Sequence, residues 1–302
     1  MAGDSSAWVK RLWPFIYLKS EKLILKRDNM KTLKNKNVVI TGAGGGIGRA
    51  LALQFADEGC NLAISDINSD ALLETEKLLK NKGVRVYSEI LDVSDRESME
   101  GYPEKVVKVL GGVDVVVNNA GVAIVSTVEE HTVEDYEWLM GINFWGVLYG
   151  SKFFIPHLRD ANEACIVNIS SVFGMLSMPN LSSYNAAKFA IRGFSESLAH
   201  ELHNSNVRVM TVYPGGVKTD FAKSARFSST PGKKKKSHQD FNNLFEKYSM
   251  STPESTSRAV IHGLKKNKKR VLVGPDAFLG DFMVRLFPVA HGWITRLISS
   301  RV

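Results

Sequence analysis

The stretch that decides the fold reads Asn37-Val38-Val39-Ile40-Thr41-Gly42-Ala43-Gly44-Gly45-Gly46-Ile47-Gly48. Residues 37–41 predict a short buried strand, five of the next seven residues are glycine, and residues 46–58 predict a helix. In this order, the glycines let the backbone approach a pyrophosphate, and the helix N-terminus offers N–H groups and a positive dipole end. An ordinary strand-to-helix turn does not need so many glycines. The stretch therefore indicates a dinucleotide-binding turn.

Predicted strands and helices alternate along the rest of the chain. Further strands are predicted at 61–66, 84–90, 114–118, 164–170, 207–213 and 270–273, and further helices at 69–82, 95–110, 133–159, 184–204 and 253–266. Such alternation is typical of a parallel sheet whose two faces are covered by helices. The sequence therefore predicts an α/β fold: a Rossmann-type, doubly wound parallel sheet of about seven strands with helices on both faces.

Tyr184 and Lys188 stand four residues apart, and Ser171 precedes the tyrosine by thirteen residues. Positions i and i+4 share one face of a helix, so the lysine ammonium can lie near the phenol oxygen. At about 4 Å and an effective dielectric of about 20, that charge contributes about 4 kcal/mol, which would move a phenol pKa from about 10 to about 7. The pair thus predicts a general acid and base. The same spacing occurs on surface helices, but the glycine turn upstream favours the catalytic interpretation.

Several motifs follow one another between and around these two features. In chain order they are Thr41-Gly42-x-x-x-Gly46-x-Gly48, Asn118-Asn119-Ala120-Gly121, Asn143, Ser171, Tyr184-x-x-x-Lys188 and Tyr213-Pro214-Gly215. With these motifs, the chain resembles the classical short-chain dehydrogenase/reductase family over roughly residues 36–275. The resemblance implies an NAD(P)-dependent oxidoreductase that interconverts an alcohol and a ketone or aldehyde by hydride transfer. A homodimer or homotetramer is also expected.

The resemblance implies roles for individual residues. Ser171 and Tyr184 would bind the substrate oxygen, Tyr184 would take the hydroxyl proton, and a water held by Asn143 and linked to Lys188 would return it to solvent. These four residues form the implied catalytic set. Of the adjacent serines, Ser171 matches the family spacing, and Ser170 is assigned a structural role. The residues implied to contact the cofactor are Gly42, Gly44, Gly45, Gly46, Ile47, Gly48, Asp66, Asp92, Val93, Asn119, Ala120, Gly121, Tyr184, Lys188, Pro214, Gly215, Val217 and Thr219.

The second predicted strand ends in Asp66, about 20 residues beyond the glycine turn. A carboxylate there accepts hydrogen bonds from the adenine ribose hydroxyls and repels a 2′-phosphate. No basic residue follows Asp66 directly, and Gly45 occupies a position that is often basic in NADP-preferring relatives. NAD is therefore expected to be preferred over NADP. Asp66 and Asp92, which resembles the family's adenine-contacting acid, could each instead cap the next helix.

Composition suits a soluble enzyme with one α/β domain and extensions. The chain has 302 residues, of which 44% are hydrophobic, and two cysteines. Cys60 and Cys165 lack metal-ligand spacing and are interpreted as buried apolar residues in a reducing compartment, so no metal site is expected. The chain contains no run of 18 apolar residues and no signal-peptide pattern at its N-terminus. A cytoplasmic location is expected.

The predicted catalytic domain covers residues 36–275 and includes a mobile substrate loop at 218–252. An amphipathic N-terminal extension at 1–35 and an amphipathic C-terminal tail at 276–302 flank it. Residues 172–181, which border the substrate pocket in this family, are mostly apolar. They favour an apolar alcohol or ketone as substrate, although ordinary core packing explains them nearly as well.

Trp, Phe and Leu are mixed with basic residues at 8–18, 282–288 and 293–298. This mixture suits peripheral contact with an anionic membrane or lipid surface. An oligomer contact or a lid over the pocket explains the C-terminal segments equally well. Both extensions resemble those of lipid-associated hydroxysteroid and retinol dehydrogenases within the family.

The formal net charge is +8, and much of it lies at 233–236 and 265–270. We interpret both runs as solvated surface with secondary attraction to anionic lipid, and we expect no nucleic-acid partner. A reductase of small polar or acyl-carrier-linked ketones is the second interpretation within enzymes. A cofactor-bound scaffold without catalysis, and a basic membrane- or nucleic-acid-binding module, are the alternatives outside enzymes.

Overall fold

The strands and helices were assigned in a computed structural model that describes residues 30–227, 246, 249–290, 292–293 and 295–296. The strands are β1 Asn37–Thr41, β2 Asn61–Asp66, β3 Val86–Ile90, β4 Val115–Asn118, β5 Ile124–Val125, β6 Ala164–Ile169, β7 Val207–Pro214, β8 Arg226–Phe227 and β9 Arg270–Val273. The α-helices are α1 Gly46–Asp57, α2 Ser69–Leu79, α3 Arg96–Leu110, α4 Val133–Met140, α5 Gly146–Arg159, α6 Ser182–Glu201, α7 Pro253–Lys265 and α8 Pro275–Leu286.

Seven of these strands form one parallel sheet in the order β3-β2-β1-β4-β6-β7-β9. The order reverses between β1 and β4, which creates the switch point where ligands bind in sheets of this kind. The carboxyl ends of all seven strands lie along one edge. The α/β fold and the seven-stranded parallel sheet predicted from the sequence are confirmed.

Helices cover both faces of the sheet, as the alternating side chains of β1 illustrate. Val38 and Ile40 pack in the core under α1, α2 and α7, whereas Val39 packs in the core under α3, α5 and α6. Successive strand residues point to opposite faces, so a strand that is apolar throughout must be covered on both sides. The uninterrupted apolar run at 38–40 is thus explained by burial on two faces.

The helix predicted at 133–159 is broken at Asn143, the residue that the family resemblance implies will distort a helix. Gly141–Trp145 forms a π-helical turn between α4 and α5. Asn143 in this turn is fully buried, and its side chain bonds both backbone polar groups of Val122. Single π-helical turns frequently occur at functional sites. The cause is a partner distant in sequence, which helical periodicity does not report.

Two short elements were not predicted. Strands β5 and β8 have two residues each and pair in parallel with one another, apart from the main sheet. The turn Val172–Gly174 is a short 3₁₀-helix that follows β6. Two-residue strands show no alternation, so their pairing depends on tertiary contacts. Both elements lie beside the region where the substrate is expected.

Parts of the predicted extensions belong to the folded domain. Met30 and Leu33 are almost fully buried in the core under α1. Helix α8 begins at Pro275 and buries Ala277 against Val172, Met175, Leu176 and Tyr213. The amphipathic segment at 8–18, the lysine run at 233–236 and most of the loop at 218–252 lie outside the described residues. Within the described part of the chain, no helix is long and apolar enough to cross a membrane.

Candidate active site

Helix α6 carries Tyr184 and Lys188 into the interior at the carboxyl edge of the sheet. The tyrosine is 9% exposed and the lysine 4% exposed, so neither is a surface residue. Lys188 Nζ lies 5.5 Å from the centre of the Tyr184 ring and donates a hydrogen bond to the Ile169 carbonyl oxygen at 3.0 Å. The helical spacing therefore brings the two side chains together, as predicted. The hydrogen bond to the Ile169 carbonyl oxygen, at the end of β6, then orients the Lys188 amine.

The two adjacent serines have different surroundings. Ser170 Oγ donates to the Lys188 carbonyl oxygen at 3.0 Å and so ties the end of β6 to α6. Ser171 Oγ accepts from Phe173 N at 3.1 Å and begins the 3₁₀ turn. The Ser171 hydroxyl also lies beside the Tyr184 hydroxyl, where it lowers the tyrosine pKa by less than burial raises it. This arrangement makes Ser171 the serine that shares a site with Tyr184.

Burial, and not the lysine charge, dominates the acidity of the pair. Desolvation raises the pKa of Tyr184 to about 12 and lowers the pKa of Lys188 to about 8. The depression of the tyrosine pKa towards 7 that the spacing predicts is therefore wrong, because burial outweighs the lysine charge. The spacing argument counted the attraction of a charge to the phenolate but not the cost of placing either charge in the interior.

Asn143 connects the π-helical turn to the loop after β4. Its Oδ1 accepts from Val122 N at 2.8 Å, and its Nδ2 donates to Val122 O at 2.9 Å. A methyl group placed on Gly121 would lie 3.2 Å from Asn143 Oδ1 and 3.6 Å from Lys188 Nζ. The asparagine amide, the lysine amine and this loop thus converge on one side of Tyr184.

The glycine turn leaves an open approach to the N-terminus of α1. Gly42 and Gly46 have φ values of +67° and +50°, which residues with a Cβ rarely adopt. A Cβ on Gly48 would overlap the Gly42 carbonyl oxygen, so this glycine permits close packing within the turn. Helix α1 has no side-chain cap and no acid in its first turn, whereas Asn68, Asp95 and others cap the neighbouring helices. The free N–H groups fit a pyrophosphate.

Asp66 lies at the end of β2, beside this turn. Its Oδ2 accepts from Gly44 N at 2.8 Å, and its Oδ1 accepts from Asn68 N at 2.9 Å. Asn68, rather than Asp66, caps α2 through a hydrogen bond from Ala71 N at 3.0 Å. The carboxylate therefore holds the glycine turn and presents a negative charge at the position expected for the adenine ribose.

Asp92 and Val93 lie after β3. Asp92 Oδ1 accepts from both Ser94 N and Ser94 Oγ, while Asp95 provides the side-chain cap of α3. Val93 is buried and packs where a Cβ on Gly146 would lie, 2.8 Å from Val93 Cγ2. The capping alternative therefore does not account for Asp92.

Asn119 joins the loop after β4 to the glycine turn. Its Nδ2 donates to the carbonyl oxygens of Thr41 and Gly42, both at 3.0 Å. Thr41 Oγ1 accepts from the backbone N–H groups of Asn119 and Ala120 at 3.1 and 3.2 Å. These bonds close the switch point between β1 and β4, so Asn119 has a clear structural role here.

The loop after β7 contains Pro214, Gly215, Val217 and Thr219. Thr219 Oγ1 donates to the Val217 carbonyl oxygen at 3.3 Å, and Gly46 lies opposite, since a Cβ there would be 3.2 Å from Thr219 Cγ2. Gly215 N donates to Val273 O at 2.9 Å. The loop therefore faces the glycine turn across the carboxyl edge of the sheet.

Two residues that sequence reasoning missed support these loops. Arg49 bonds Gly44 O, Ala71 O, Thr75 Oγ1 and Glu74, so it ties the glycine turn to α2. Asp276 at the start of α8 accepts from Gly216 N at 2.6 Å. Arg49 immediately follows the glycine motif, which was the one available signal. Nothing in the sequence around Asp276 points to a loop 60 positions away.

Apolar side chains pack around the Tyr184 ring. The centres of the Phe221 and Phe173 rings lie 5.8 and 6.3 Å from that of Tyr184. The cluster around these rings contains Val122, Ala123, Ile124, Val125, Trp138, Leu139, Met140, Met178, Leu181, Ala187, Ala225 and Phe227. The residues of this cluster lie on β5, α4, α6 and β8 and on the segments beside them.

A parallel sheet with a glycine turn at its switch point, and a buried Tyr–Lys pair beside it, defines a class of dinucleotide-dependent oxidoreductases. The family model described as short chain dehydrogenase matches residues 36–229, and the chain belongs to this family. SadH of Mycobacterium tuberculosis, named as an oxidoreductase, is 39% identical over 276 residues, covering 90% of this chain and 97% of SadH. The family prediction from the motifs is confirmed.

Two solved structures extend the comparison. A short chain dehydrogenase/reductase from Burkholderia phymatum in complex with NAD has a TM-score of 0.77 at 27% identity, covering 88% of this chain and 96% of that chain. An alcohol dehydrogenase from Thermococcus sibiricus complexed with 5-hydroxy-NADP has a TM-score of 0.68 at 28% identity, covering 80% and 96%. Similar proteins thus bind either form of the nicotinamide cofactor.

Proposed function

We propose that the protein interconverts a secondary alcohol and a ketone, or a primary alcohol and an aldehyde, on a lipophilic substrate, with NAD as the preferred cofactor. The observation that carries this proposal is the position of the Tyr184 hydroxyl. This hydroxyl lies beside Ser171, and the buried Lys188 amine lies 5.5 Å from the centre of the Tyr184 ring. The ring itself packs in a cluster of apolar side chains. A proton-exchanging group among apolar side chains suits a hydrophobic alcohol.

The residues at the carboxyl edge fit a dinucleotide. The uncapped N-terminus of α1 and the glycine turn would hold the pyrophosphate, and Asp66 would accept the ribose hydroxyls. Asp92 and Val93 would border the adenine, and the loop from Pro214 to Thr219 would border the nicotinamide. When bound, the cofactor supplies the hydride acceptor or donor at its nicotinamide ring.

Residues of the chain itself would transfer the proton to and from the substrate. Ser171 and Tyr184 orient the substrate oxygen, and Tyr184 exchanges its proton with that oxygen. A phenol with a pKa of about 12 is protonated at neutral pH and is ready to donate to a developing alkoxide. The opposite direction requires a positive charge near the phenol, which protonated Lys188 would supply. Asn143 holds the loop at Val122, and a water bound by Asn143 and linked to Lys188 would return the proton to solvent.

The preference for NAD is supported by the charge at the end of β2. The Asp66 carboxylate is fixed by two backbone N–H groups, so it cannot swing away from a 2′-phosphate without losing both bonds. Arg49 is the nearest candidate for binding a 2′-phosphate, but its guanidinium is already paired with Glu74 at 2.7 Å. Repulsion of about 1.4 kcal/mol would favour NAD about tenfold.

A lipophilic substrate such as a steroid, retinoid or long-chain alcohol is supported by the chemistry of the cluster around Tyr184. Besides Tyr184, the cluster contains the aromatic rings of four residues together with Met178 and Leu181; the four are Trp138, Phe173, Phe221 and Phe227. A small polar or acyl-linked ketone, the second candidate, would need polar partners in this wall. A cofactor-bound scaffold would have no use for a buried Tyr–Lys pair, which costs folding free energy.

We propose further that α8 makes peripheral contact with anionic lipid. Phe278, Leu279, Phe282 and Leu286 are each more than half exposed along this helix, and Trp293 lies beyond it. Co-sedimentation with vesicles containing phosphatidylserine, compared with a Phe278→Ser/Phe282→Ser double variant, tests the contact. Equal recovery of both proteins in the supernatant would refute it.

For the expected homodimer or homotetramer, we propose the aromatic face of α5 and α6 as the contact. Trp145 and Phe189 are 45% and 41% exposed, and Trp145 continues into stacked Tyr149 and Phe153 rings. Sedimentation equilibrium of Trp145→Lys should then detect a smaller species than in the wild type. An unchanged mass would exclude this face.

The experiment that tests the catalytic proposal is reduction of NAD and NADP over a panel of alcohols. The panel contains steroids, retinol, long-chain secondary alcohols, short secondary alcohols and small diols. Turnover that is highest with NAD and the lipophilic members is expected. Turnover restricted to small polar alcohols would overturn the substrate proposal. No turnover in a protein that binds NADH would overturn catalysis on alcohols.

A further inference from the structure

The two-residue strand β8 carries the side chain that attaches segment 219–227 to helix α4. Arg226 Nη1 donates to Asp135 Oδ1 at 3.2 Å, and the guanidinium carbon lies 3.4 Å from the centre of the Trp138 ring. The backbone of the same residue pairs with β5, because Arg226 N donates to the Ala123 carbonyl oxygen at 3.0 Å. Arg226 thus makes three different contacts: its side chain contacts Asp135 and Trp138 on α4, and its backbone contacts Ala123.

Segment 219–227 also forms part of the wall around Tyr184. Phe221, Ala225 and Phe227 belong to the apolar cluster, and the Phe221 ring centre lies 5.8 Å from that of Tyr184. The segment begins at Thr219, beside the glycine turn, and reaches α4 at Arg226. Anything that loosens Arg226 would therefore loosen Phe221, whose ring contacts that of Tyr184, and Phe227, which packs against the same cluster.

We propose that Arg226 is a positioning residue that sets the preference for bulky apolar substrates. Its stacking on Trp138 and its pairing with Asp135 hold Phe221 and Phe227 in place within the apolar cluster that contains Tyr184. This inference rests on the proposed oxidation of lipophilic alcohols. A substrate large enough to touch both rings binds more tightly when Phe221 and Phe227 are already ordered, because less conformational entropy is lost on binding. The affinity for a short alcohol that touches neither ring does not depend on this order.

The residue type matches this task. A guanidinium is planar, so it can stack on an indole and donate to a carboxylate at the same time, which a lysine ammonium cannot do. The ion pair alone is weak, since the Arg226 and Asp135 side chains are 51% and 26% exposed. The stacking on Trp138 should therefore matter more than the charge of Asp135.

The kinetic test compares Arg226→Gln with Arg96→Gln as a matched control. Arg96 forms an exposed pair with Glu100 on α3 and stacks on no ring among the described residues. Arg226→Gln should raise the KM of a long-chain secondary alcohol about tenfold, which corresponds to about 1.4 kcal/mol. The KM of a short secondary alcohol, the kcat for either alcohol and the NADH affinity should each change by less than about twofold.

Further variants separate the two contacts. Trp138→Leu should reproduce the tenfold effect, and the double variant should be no worse than either single variant, because both remove the same contact. Asp135→Asn should have a smaller effect. Equal losses for the long and short alcohols, or a parallel loss of NADH affinity, would mean a general structural role and would overturn the inference.

Hydrogen–deuterium exchange tests the attachment without relying on catalysis. In Arg226→Gln, amides of 219–227 should exchange about tenfold faster than in the wild type, while β1 amides stay unchanged. Unchanged exchange in 219–227 would overturn the inference even if the wild type oxidises long-chain alcohols. If the wild type oxidises no alcohol while the exchange difference is present, the proposed function fails and the attachment stands.

Discussion

Lys188 Nζ lies 5.5 Å from the centre of the Tyr184 ring, and both side chains are buried. Burial disfavours the charged form of each, which lowers the pKa of the lysine to about 8 and raises that of the tyrosine to about 12. The pair is therefore least costly to fold when both groups are neutral. A site of this kind gives up stability for groups that can exchange protons.

Lys188→Met should stabilise the cofactor-free protein at pH 7 while removing its activity. A folded pKa of about 8 against 10.5 in the unfolded chain corresponds to a cost on the order of 3 kcal/mol below pH 8, partly offset by the bond to Ile169. Between pH 8 and 10.5 the unfolded chain binds more protons at this residue, so wild-type stability rises with pH. Urea unfolding at pH 7 and pH 10 measures both effects.

The expected gain of the methionine variant is about 1–3 kcal/mol at pH 7, and it should shrink towards pH 10. Lys82→Met is the control, because Lys82 forms a surface pair with Asp57 and is 35% exposed. A Lys188→Met protein that is less stable than the wild type at pH 7, or a gap that is equal at both pH values, would contradict the burial argument.

Tyr184→Phe should lower kcat by about 100- to 10,000-fold, the usual contribution of a positioned general acid or base. NADH affinity should stay within about twofold of the wild type, since the ring and its packing remain. Stopped-flow reduction of NAD and NADH fluorescence titration give the two values. Tyr149→Phe, which removes a hydroxyl from a partly buried tyrosine on α5, should leave both unchanged. Normal turnover by Tyr184→Phe would exclude the proposed proton exchange.

Asp66→Ser should shift the cofactor preference towards NADP. The change removes the negative charge that faces a 2′-phosphate and leaves one hydroxyl to accept from Gly44 N or Asn68 N. The ratio of kcat/KM for NADP to that for NAD should rise about tenfold or more. Asp57→Ser changes an acid in the surface pair with Lys82 and should leave the ratio as it is. An unchanged ratio in Asp66→Ser would remove the basis for the NAD preference.

Two glycines of the turn should respond differently to alanine. A Cβ on Gly48 overlaps Gly42 O, so Gly48→Ala should lower the free energy of unfolding by about 1–3 kcal/mol or more. Gly45 has an extended backbone and nothing within 4 Å of an added Cβ, so Gly45→Ala should leave stability within about 0.5 kcal/mol. Urea unfolding of the cofactor-free proteins makes the comparison.

Gly45→Ala should also leave NADH affinity within about twofold of the wild type, because relatives that bind NADP often carry a basic side chain at this position and an added Cβ meets nothing within 4 Å. Isothermal titration with NADH measures this. A tenfold or larger loss of affinity in Gly45→Ala would show that the cofactor needs the space beside this glycine, whatever the stability result.

Local features of the chain were enough to predict the sheet and the helices that carry the site. The buried strand before Gly42, the glycine turn and the i, i+4 spacing of Tyr184 and Lys188 depend on short-range sterics and helical periodicity. The break at Asn143 could not be predicted in the same way, because its cause is the Val122 backbone 21 positions earlier. The periodicity of apolar residues indicates whether a segment is a helix or a strand, but it does not indicate contacts with distant parts of the chain.

The sequence by itself determined the parallel α/β fold, the family and the residues that meet at the carboxyl edge. Each of these depends on residue types at fixed short spacings. Only the tertiary structure decided the direction of the Tyr184 and Lys188 pKa shifts, since desolvation depends on what surrounds a group from every side. It also decided that Arg226 meets Asp135, 91 positions away, because the pairing of β5 with β8 that joins them has no local signature.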